Sequence, residues 1–234
     1  MKIRPLLFTP SDWDFIKLVV FDVDGTLYNQ RKLRWHMACD LLVHAILMRD
    51  LKTNVILRAY RRIRERLADE ESSCNDVTVV TETANVVGCT PEAVQKIVAE
   101  WIEQRPLRYL VRCRYQGLPE LFNGLRRKGK IIGILSDYPA RAKLAALELY
   151  ADYFVSSDDP DIGYFKPHTR GLECLIAAAG VNAKSTILIG DRIERDGIVA
   201  NRLGVNALIR SSQPIKHWQT FASFDSPLFA PMLS

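Results

Sequence analysis

The chain has 234 residues, 48% hydrophobic and 25% charged, enough to bury a full core in one large domain or two modest ones. This is the composition of an ordinary soluble globular protein, and no stretch approaches the ~18 consecutive apolar residues that a membrane span needs. The net charge of +5 and pI near 9.0 favour anionic partners, whether a phosphorylated metabolite, nucleic acid or an acidic surface, without choosing among them.

The opening MKIRPLLFTPSDWDF has a basic tip but no apolar run of signal-peptide length. Five scattered cysteines, Cys39, Cys74, Cys89, Cys113 and Cys174, form no CxxC pair and read as the reduced thiols of a cytoplasmic protein. The first element is LVVFDVDGTLYN, Leu18 to Asn29, an apolar run that meets Asp22 and Asp24 and then Gly25 and Thr26. It predicts a buried strand ending in two acids.

From Asn29 to about Cys113 the strand pattern gives way to amphipathic helices: WHMACDLLVHAILM, then VILRAYRRIRERL, then EAVQKIVAEWI. In the second, Ile56, Ala59, Tyr60, Ile63 and Leu67 are in register; in the third, Val94, Ile97, Val98, Trp101 and Ile102. Thr90 is a fitting N-cap for the third, with Pro91 in its first turn. The chain rejoins its strand pattern near Gly117. PELFNGLRRKG reads as a helix stopped by Gly129, followed by the strand KIIGILSD, the strand YFVSSDD, the helix PHTRGLECLIAAAG, the strand STILIGDR, the helix RDGIVANRLG and the strand VNALIR. There is no internal repeat and no low-complexity segment.

Such alternation predicts an α/β fold, a Rossmann-like parallel sheet with helices on both faces. The expected division is a core of residues 1–29 and 114–234 with an inserted helical unit, 30–113. In such sheets ligands bind at the carboxyl ends of the strands, which here carry Asp22, Asp24, Ser136, Asp137, Ser156 to Asp159 and Asp191. Two neighbouring carboxylates repel, and a hard divalent cation held by oxygens offsets that repulsion. A carboxylate beside a metal can also attack phosphorus and form an acyl phosphate. GDRIERD adds Asp191 and Asp196, while Ser136 and Lys166 supply a hydroxyl and a positive charge suited to phosphate oxygens.

In that order, DVDGT, ILSD, GYFKP and GDRIERD resemble the motifs of the haloacid dehalogenase superfamily, whose commonest members are phosphatases. The helical insertion after the first motif resembles the family's helical cap. The resemblance implies Asp22 as nucleophile and Mg²⁺ ligand, with Asp24 as general acid and base that also offers its backbone carbonyl to the metal. It implies Thr26 and Ser136 as groups that hold the site and the transferring phosphoryl, and Lys166 as the neutralising cation. Asp191 would complete the Mg²⁺ shell, and Asp196 would support it directly or through water. As the acid, Asp24 would need a raised pKa in the substrate complex. Asp137 departs from the neutral residue many relatives carry, and Asp24 argues against the dehalogenase branch, which lacks an acid there.

Other signals are weaker. His36, His44, His168 and His217 have no metal-ligand spacing; of these only His168 lies near a motif residue, Lys166. The run Arg58, Arg61, Arg62, Arg64 and Arg66 reads as a solvated helix face rather than a nucleic-acid surface, because aromatic interleaving is nearly absent. Tyr28, Asn29, Arg31, Lys32 and Arg34 follow the first motif, and Arg31 and Arg34 are candidate ligands for a second anionic group on the substrate. Together these readings predict a Mg²⁺-dependent phosphatase acting on a small phosphorylated metabolite through an aspartyl phosphate. The alternatives are a sugar-phosphate mutase and, from another class, a regulatory or nucleic-acid-binding protein on the same fold, against which the intact motifs speak.

Overall fold

Four consecutive apolar residues form β1 (Leu18–Phe21), every one of them buried. A strand buried on both faces belongs in the middle of a parallel sheet, and in the computed structural model, which describes residues 8–73 and 76–234, β1 lies there. The N-terminal tip through residue 7 and Cys74 lie outside the described residues. The other strands are β2 (Ile131–Ser136), β3 (Tyr153–Ser156), β4 (Thr186–Gly190), β5 (Asn206–Arg210) and β6 (Thr220–Phe221). They are all parallel, in the order β3-β2-β1-β4-β5-β6. The five strands expected from the sequence are present. β6 was not foreseen, because two residues are too few to carry a periodic signal.

Between Asn29 and Arg114 run α1 (Gln30–Met48), α2 (Lys52–Asp69), α3 (Asp76–Val87), α4 (Pro91–Val98) and α5 (Leu107–Cys113). The remaining helices are α6 (Leu118–Arg127), α7 (Arg141–Ala146), α8 (Arg170–Ala178), α9 (Ile198–Leu203) and α10 (Ala230–Leu233). The pleat of β1 divides its side chains between two layers. Val19 and Phe21 pack into one cluster with Leu121, Phe122 and Leu125 of α6 and Leu144 of α7. Leu18 and Val20 pack into the other with Leu172 and Leu175 of α8 and Val199 of α9.

Thr90 caps α4 by accepting from the Ala93 N–H, with Pro91 in the first turn, as the sequence predicts. The helix does not run on unchanged to Ile102, however: Ala99–Gln104 widen into a π-helical turn. α1 also departs from expectation. Only Leu33 and Met37 of α1 are buried, while Leu42, Val43, Ile46, Leu47 and Met48 are exposed. Leu33, Met37 and Leu41 pack with the core cluster and His44 lies against Trp101, whereas the face that carries Leu42, Val43, Ile46, Leu47 and Met48 is exposed. The stripe of α2 behaves as read: Ile56, Tyr60, Ile63 and Leu67 pack on Val79, Val80 and Ala84 of α3 and on Val94 and Val98 of α4. Where the chain leaves and re-enters the sheet, Tyr28 and Arg114 form an antiparallel bridge.

Candidate active site

The ends of β1, β2 and β4 and the loop carrying Lys166 converge on one buried cluster. Asp22 directly follows β1, and its backbone N–H still bonds across to the Ile189 carbonyl (2.9 Å), so the strand pairing fixes where its side chain emerges. Its Oδ1 accepts from Lys166 Nζ (2.6 Å) and its Oδ2 from Thr26 Oγ1 (2.7 Å). Lys166, itself buried, also donates to Asp196 Oδ1 (2.6 Å). The second oxygen of Asp196 accepts from the backbone N–H groups of Asp191 (3.2 Å) and Arg192 (3.1 Å). Each of Asp22, Asp191 and Asp196 can offer one carboxylate oxygen within 4.8 Å of the other two. Asp191 Oδ1 is buried with no hydrogen-bond partner among the described residues.

Two glycines make this crowding possible. Gly25 has φ +101°, and a Cβ there would lie 2.1 Å from Asp191 Oδ2; a Cβ on Gly190 would lie 2.3 Å from the Asp196 carboxyl carbon. A side chain at either position would displace a carboxylate.

Burial raises the Asp22 pKa above the ordinary carboxylate range; the Lys166 ammonium opposes the shift and the Asp196 charge adds to it. Asp191 is raised by burial and by the charges of Asp22 and Asp196. Lys166 shifts upward because Asp196 and Asp22 outweigh the cost of burying its charge. Three carboxylates with one ammonium leave excess negative charge, which is the environment a hard cation neutralises.

Asp24 is placed differently. Both its oxygens accept from Lys143 Nζ (2.7 and 2.8 Å), and Tyr28 OH donates to Oδ1. Burial works against its charge, but Lys143 and the hydrogen bond from Tyr28 outweigh it and hold Asp24 below the ordinary range. These contacts oppose the raised pKa that an acid needs, and the Asp24 carboxylate stands outside the cluster of potential metal ligands.

Of the other predicted residues, Ser136 is buried at the end of β2, with its Oγ accepting from the Tyr138 N–H (3.2 Å). Asp137 turns its side chain to the Lys166 backbone N–H (3.0 Å). That bond tethers the lysine loop to the end of β2. Arg31 and Arg34 are exposed on the first turns of α1. Arg34 lies near enough to Arg61 for its charge to help burial lower the Arg61 pKa, while Arg31 lies near enough to Tyr115 to oppose the upward shift that burial gives that phenol. Among the described residues neither joins the carboxylate cluster. His168 stacks on Tyr164 (4.0 Å between centroids) and takes no part in it.

The solvated reading of the arginine run is corrected at Arg64. Its side chain is buried, donating to Tyr60 OH (2.9 Å) and to the Asp137 carbonyl, with its guanidinium carbon 4.1 Å from the Tyr138 ring centroid. Tyr60, Ile63, Arg64 and Leu67 follow the i, i+3, i+4, i+7 spacing of one stripe, so position alone marks Arg64 as inward. Arg66, by contrast, is exposed and pairs with Glu70 and Glu82. Lys143 had no such marker: in RAKLAALELY it reads as an ordinary helix lysine, and only the approach of α7 to the β1 loop makes it Asp24's partner.

A profile of the haloacid dehalogenase-like hydrolases matches residues 16–204. The chain belongs to this family. Over 207 residues it is 24% identical to a glyceraldehyde 3-phosphate phosphatase of Methanothermobacter thermautotrophicus, covering 85% of this chain and 87% of that protein. The fold is shared with a 2-haloacid dehalogenase from Pseudomonas syringae pv. Tomato (TM-score 0.60, 20% identity, 93% of this chain and 98% of that one). It is shared also with a HAD phosphatase from Thermococcus onnurineus (TM-score 0.56, 20% identity, 89% and 94%). The HAD-hydrolase YfnB of Bacillus subtilis, solved with magnesium, superposes with a TM-score of 0.62 at 16% identity, over 89% and 95% of the two chains. This family member is therefore a hydrolase with an acidic cluster at the carboxyl ends of its parallel strands. None of its helices, among the described residues, is long and apolar enough to cross a membrane.

Proposed function

We propose that the protein is a Mg²⁺-dependent phosphatase that hydrolyses a small phosphorylated metabolite through an aspartyl phosphate on Asp22. The observation that carries this reading is the position of Asp22, held between Lys166 and Thr26 beside Asp191 and Asp196, with a second acid two residues on. The relative named as a phosphatase supports it. The dehalogenases among the structural neighbours share only the shape of the chain, and Asp24 with its two partners is machinery for moving a proton, which supports a phosphoryl acceptor reaction rather than halide displacement.

The donor set fits a hard cation: all oxygens, crowded, with Asp191 Oδ1 buried and unpartnered. Asp22, Asp191 and Asp196 would hold Mg²⁺, with the Asp24 backbone carbonyl as a further ligand. Bound there, it would supply charge neutralisation for the phosphoryl oxygens. Lys166 fixes one oxygen of Asp22 and leaves the carboxylate aimed by the strand, so that the other oxygen, released by Thr26, attacks phosphorus.

Asp24 then manages the protons. Paired with Lys143 and Tyr28 it is held ionised, which suits the base that activates water against the aspartyl phosphate. A bound phosphate dianion adds negative charge beside Asp24 and competes for Lys143, and both effects raise its pKa toward the value the acid half-reaction needs. Residues 30–113 would form the helical cap over this site, and residues 1–29 with 114–234 the core. The test is phosphate release across a panel of phosphorylated metabolites that includes glyceraldehyde 3-phosphate, with Mg²⁺ and with chelator, beside halide release from a 2-haloacid. Chelator-sensitive phosphate release lost in Asp22→Asn is the expected result. Halide release without phosphate release would overturn the reading.

A further inference from the structure

A cavity of about 280 Å³ lies where the two crossings between sheet and helical segment meet the end of β5. Lys32, Arg112, Arg114 and Arg210 line it with Tyr115 and Ser223, and no carboxylate does. None of Asp22, Asp24, Lys166, Asp191 or Asp196 reaches its wall.

Three of the four cations are fastened through backbone carbonyls, which do not neutralise their charge. Lys32 Nζ donates to the Arg112 carbonyl (2.7 Å), fastening one crossing to the other. The Arg112 guanidinium makes no hydrogen bond or ion pair with another described residue. Arg114 donates to the Leu147 carbonyl and to Glu148 (3.0 Å), the one acid among the described residues that pairs directly with any of the four. Arg210 stacks on Tyr115, its guanidinium carbon 3.3 Å from the ring centroid, and spends Nη2 on the Ala222 carbonyl (3.3 Å). Its Nε is buried with no partner among the described residues. Partial burial lowers the Arg210 pKa, and Tyr115 and Asp191 oppose that shift, so the guanidinium sits in the cavity at a cost that an anion would offset.

We propose that this cavity is a second anion site, distinct from the strand-end carboxylates, which takes a small phosphate-type oxyanion. Several cations converging from different chain segments match a tetrahedral, multiply charged ion better than a planar monoanion, which one guanidinium fork satisfies alone. The volume suits inorganic phosphate or a small phosphomonoester, and is at the lower end of ligand-pocket sizes. Because Asn29, Lys32 and Arg112 to Gln116 belong to the two crossings, a bound anion would tie those crossings to the end of β5.

The test is residue-specific and needs no turnover. The Arg210 Nε–Hε signal in a ¹H–¹⁵N spectrum, assigned by its loss in Arg210→Lys, is followed during titration with inorganic phosphate, glycerol phosphate and acetate in the Asp22→Asn protein. The expected result is a saturable shift with phosphate or glycerol phosphate, its midpoint weakened about tenfold or more in Lys32→Ser/Arg112→Ser, with acetate far weaker. The tighter of the two phosphates names the source. A signal unmoved by phosphate, an acetate response equal to phosphate, or an unchanged midpoint in the double variant would overturn the proposal. So would an Arg210 response abolished by Lys166→Met, because the cavity would then be sensing charge in the carboxylate site. Each outcome stands apart from whether the enzyme is a phosphatase.

Discussion

Asp22 and Asp24 are two residues apart on one turn and live in opposite fields. Asp22 is crowded by two further carboxylates and answered by one ammonium, and its pKa is raised. Asp24 faces away, toward Lys143 and Tyr28, and its pKa is lowered. Only Val23 stands between them, and the two sides draw their partners from different parts of the chain: the Lys166 loop and the loop after β4 for Asp22, α7 for Asp24. Identical side chains thus become chemically distinct because the groups delivered to each differ, which is how two carboxylates share a nucleophile's and a proton carrier's work.

The largest effect should come from Asp22→Asn, which removes the attacking oxygen; phosphate release should fall by at least about 10³-fold, read in a Mg²⁺ assay against wild type. Retained activity would dissolve the distinction between the two acids. Lys166→Met should follow, with kcat down about 10²- to 10³-fold, since it leaves Asp22 and Asp196 without their shared counter-charge. Lys143→Met sharpens the other side of the comparison. Without its main counter-charge Asp24 should shift upward, moving the acidic limb of the kcat profile to higher pH and lowering kcat about 10-fold or more near neutrality. In Asp24→Ala, where the acid itself is gone, an aryl phosphate, with its good leaving group, should be less affected in the first half-reaction than an alkyl phosphate. An unchanged pH profile in Lys143→Met would show that the contact does not tune Asp24.

The smallest effect is on stability. Asp191 is raised in the folded state, so the folded protein holds a proton through a pH range in which the unfolded chain has released it. Its contribution is therefore favourable at low pH and is lost as pH rises toward the folded pKa. Metal-free Asp191→Asn should accordingly be more stable than metal-free wild type at pH 8, by about 1 kcal/mol or more, and should lose the stabilisation that Mg²⁺ gives wild type. Thermal melts at pH 6 and pH 8 with and without Mg²⁺ check both. A variant less stable than wild type at pH 8 would mean that Asp191 is not repelled where it sits.

The sequence by itself determined five of the six described strands, because buried parallel strands are written as short apolar runs, and it named Asp22, Asp191 and Asp196 of the carboxylate cluster. Asp22, Lys166, Asp191 and Asp196 each stand next to a glycine, a proline or a strand end, which are local signals, and β1 and β4 are hydrogen-bonded neighbours in register, so their ends must meet. Only the tertiary structure decided what surrounds those residues. Lys143 reaches Asp24 across 119 positions of chain and Arg64 reaches the Asp137 carbonyl across 73, and a lysine or arginine on a helix looks the same in sequence whether it meets water or a buried acid. The stripe on α2 marked Arg64 as inward but not its partners, and the apolar residues Leu42, Val43, Ile46, Leu47 and Met48 of α1 had the composition of a packed face yet are exposed. Periodicity is a property of one segment; the field at a carboxylate is the sum of charges that folding brings from several.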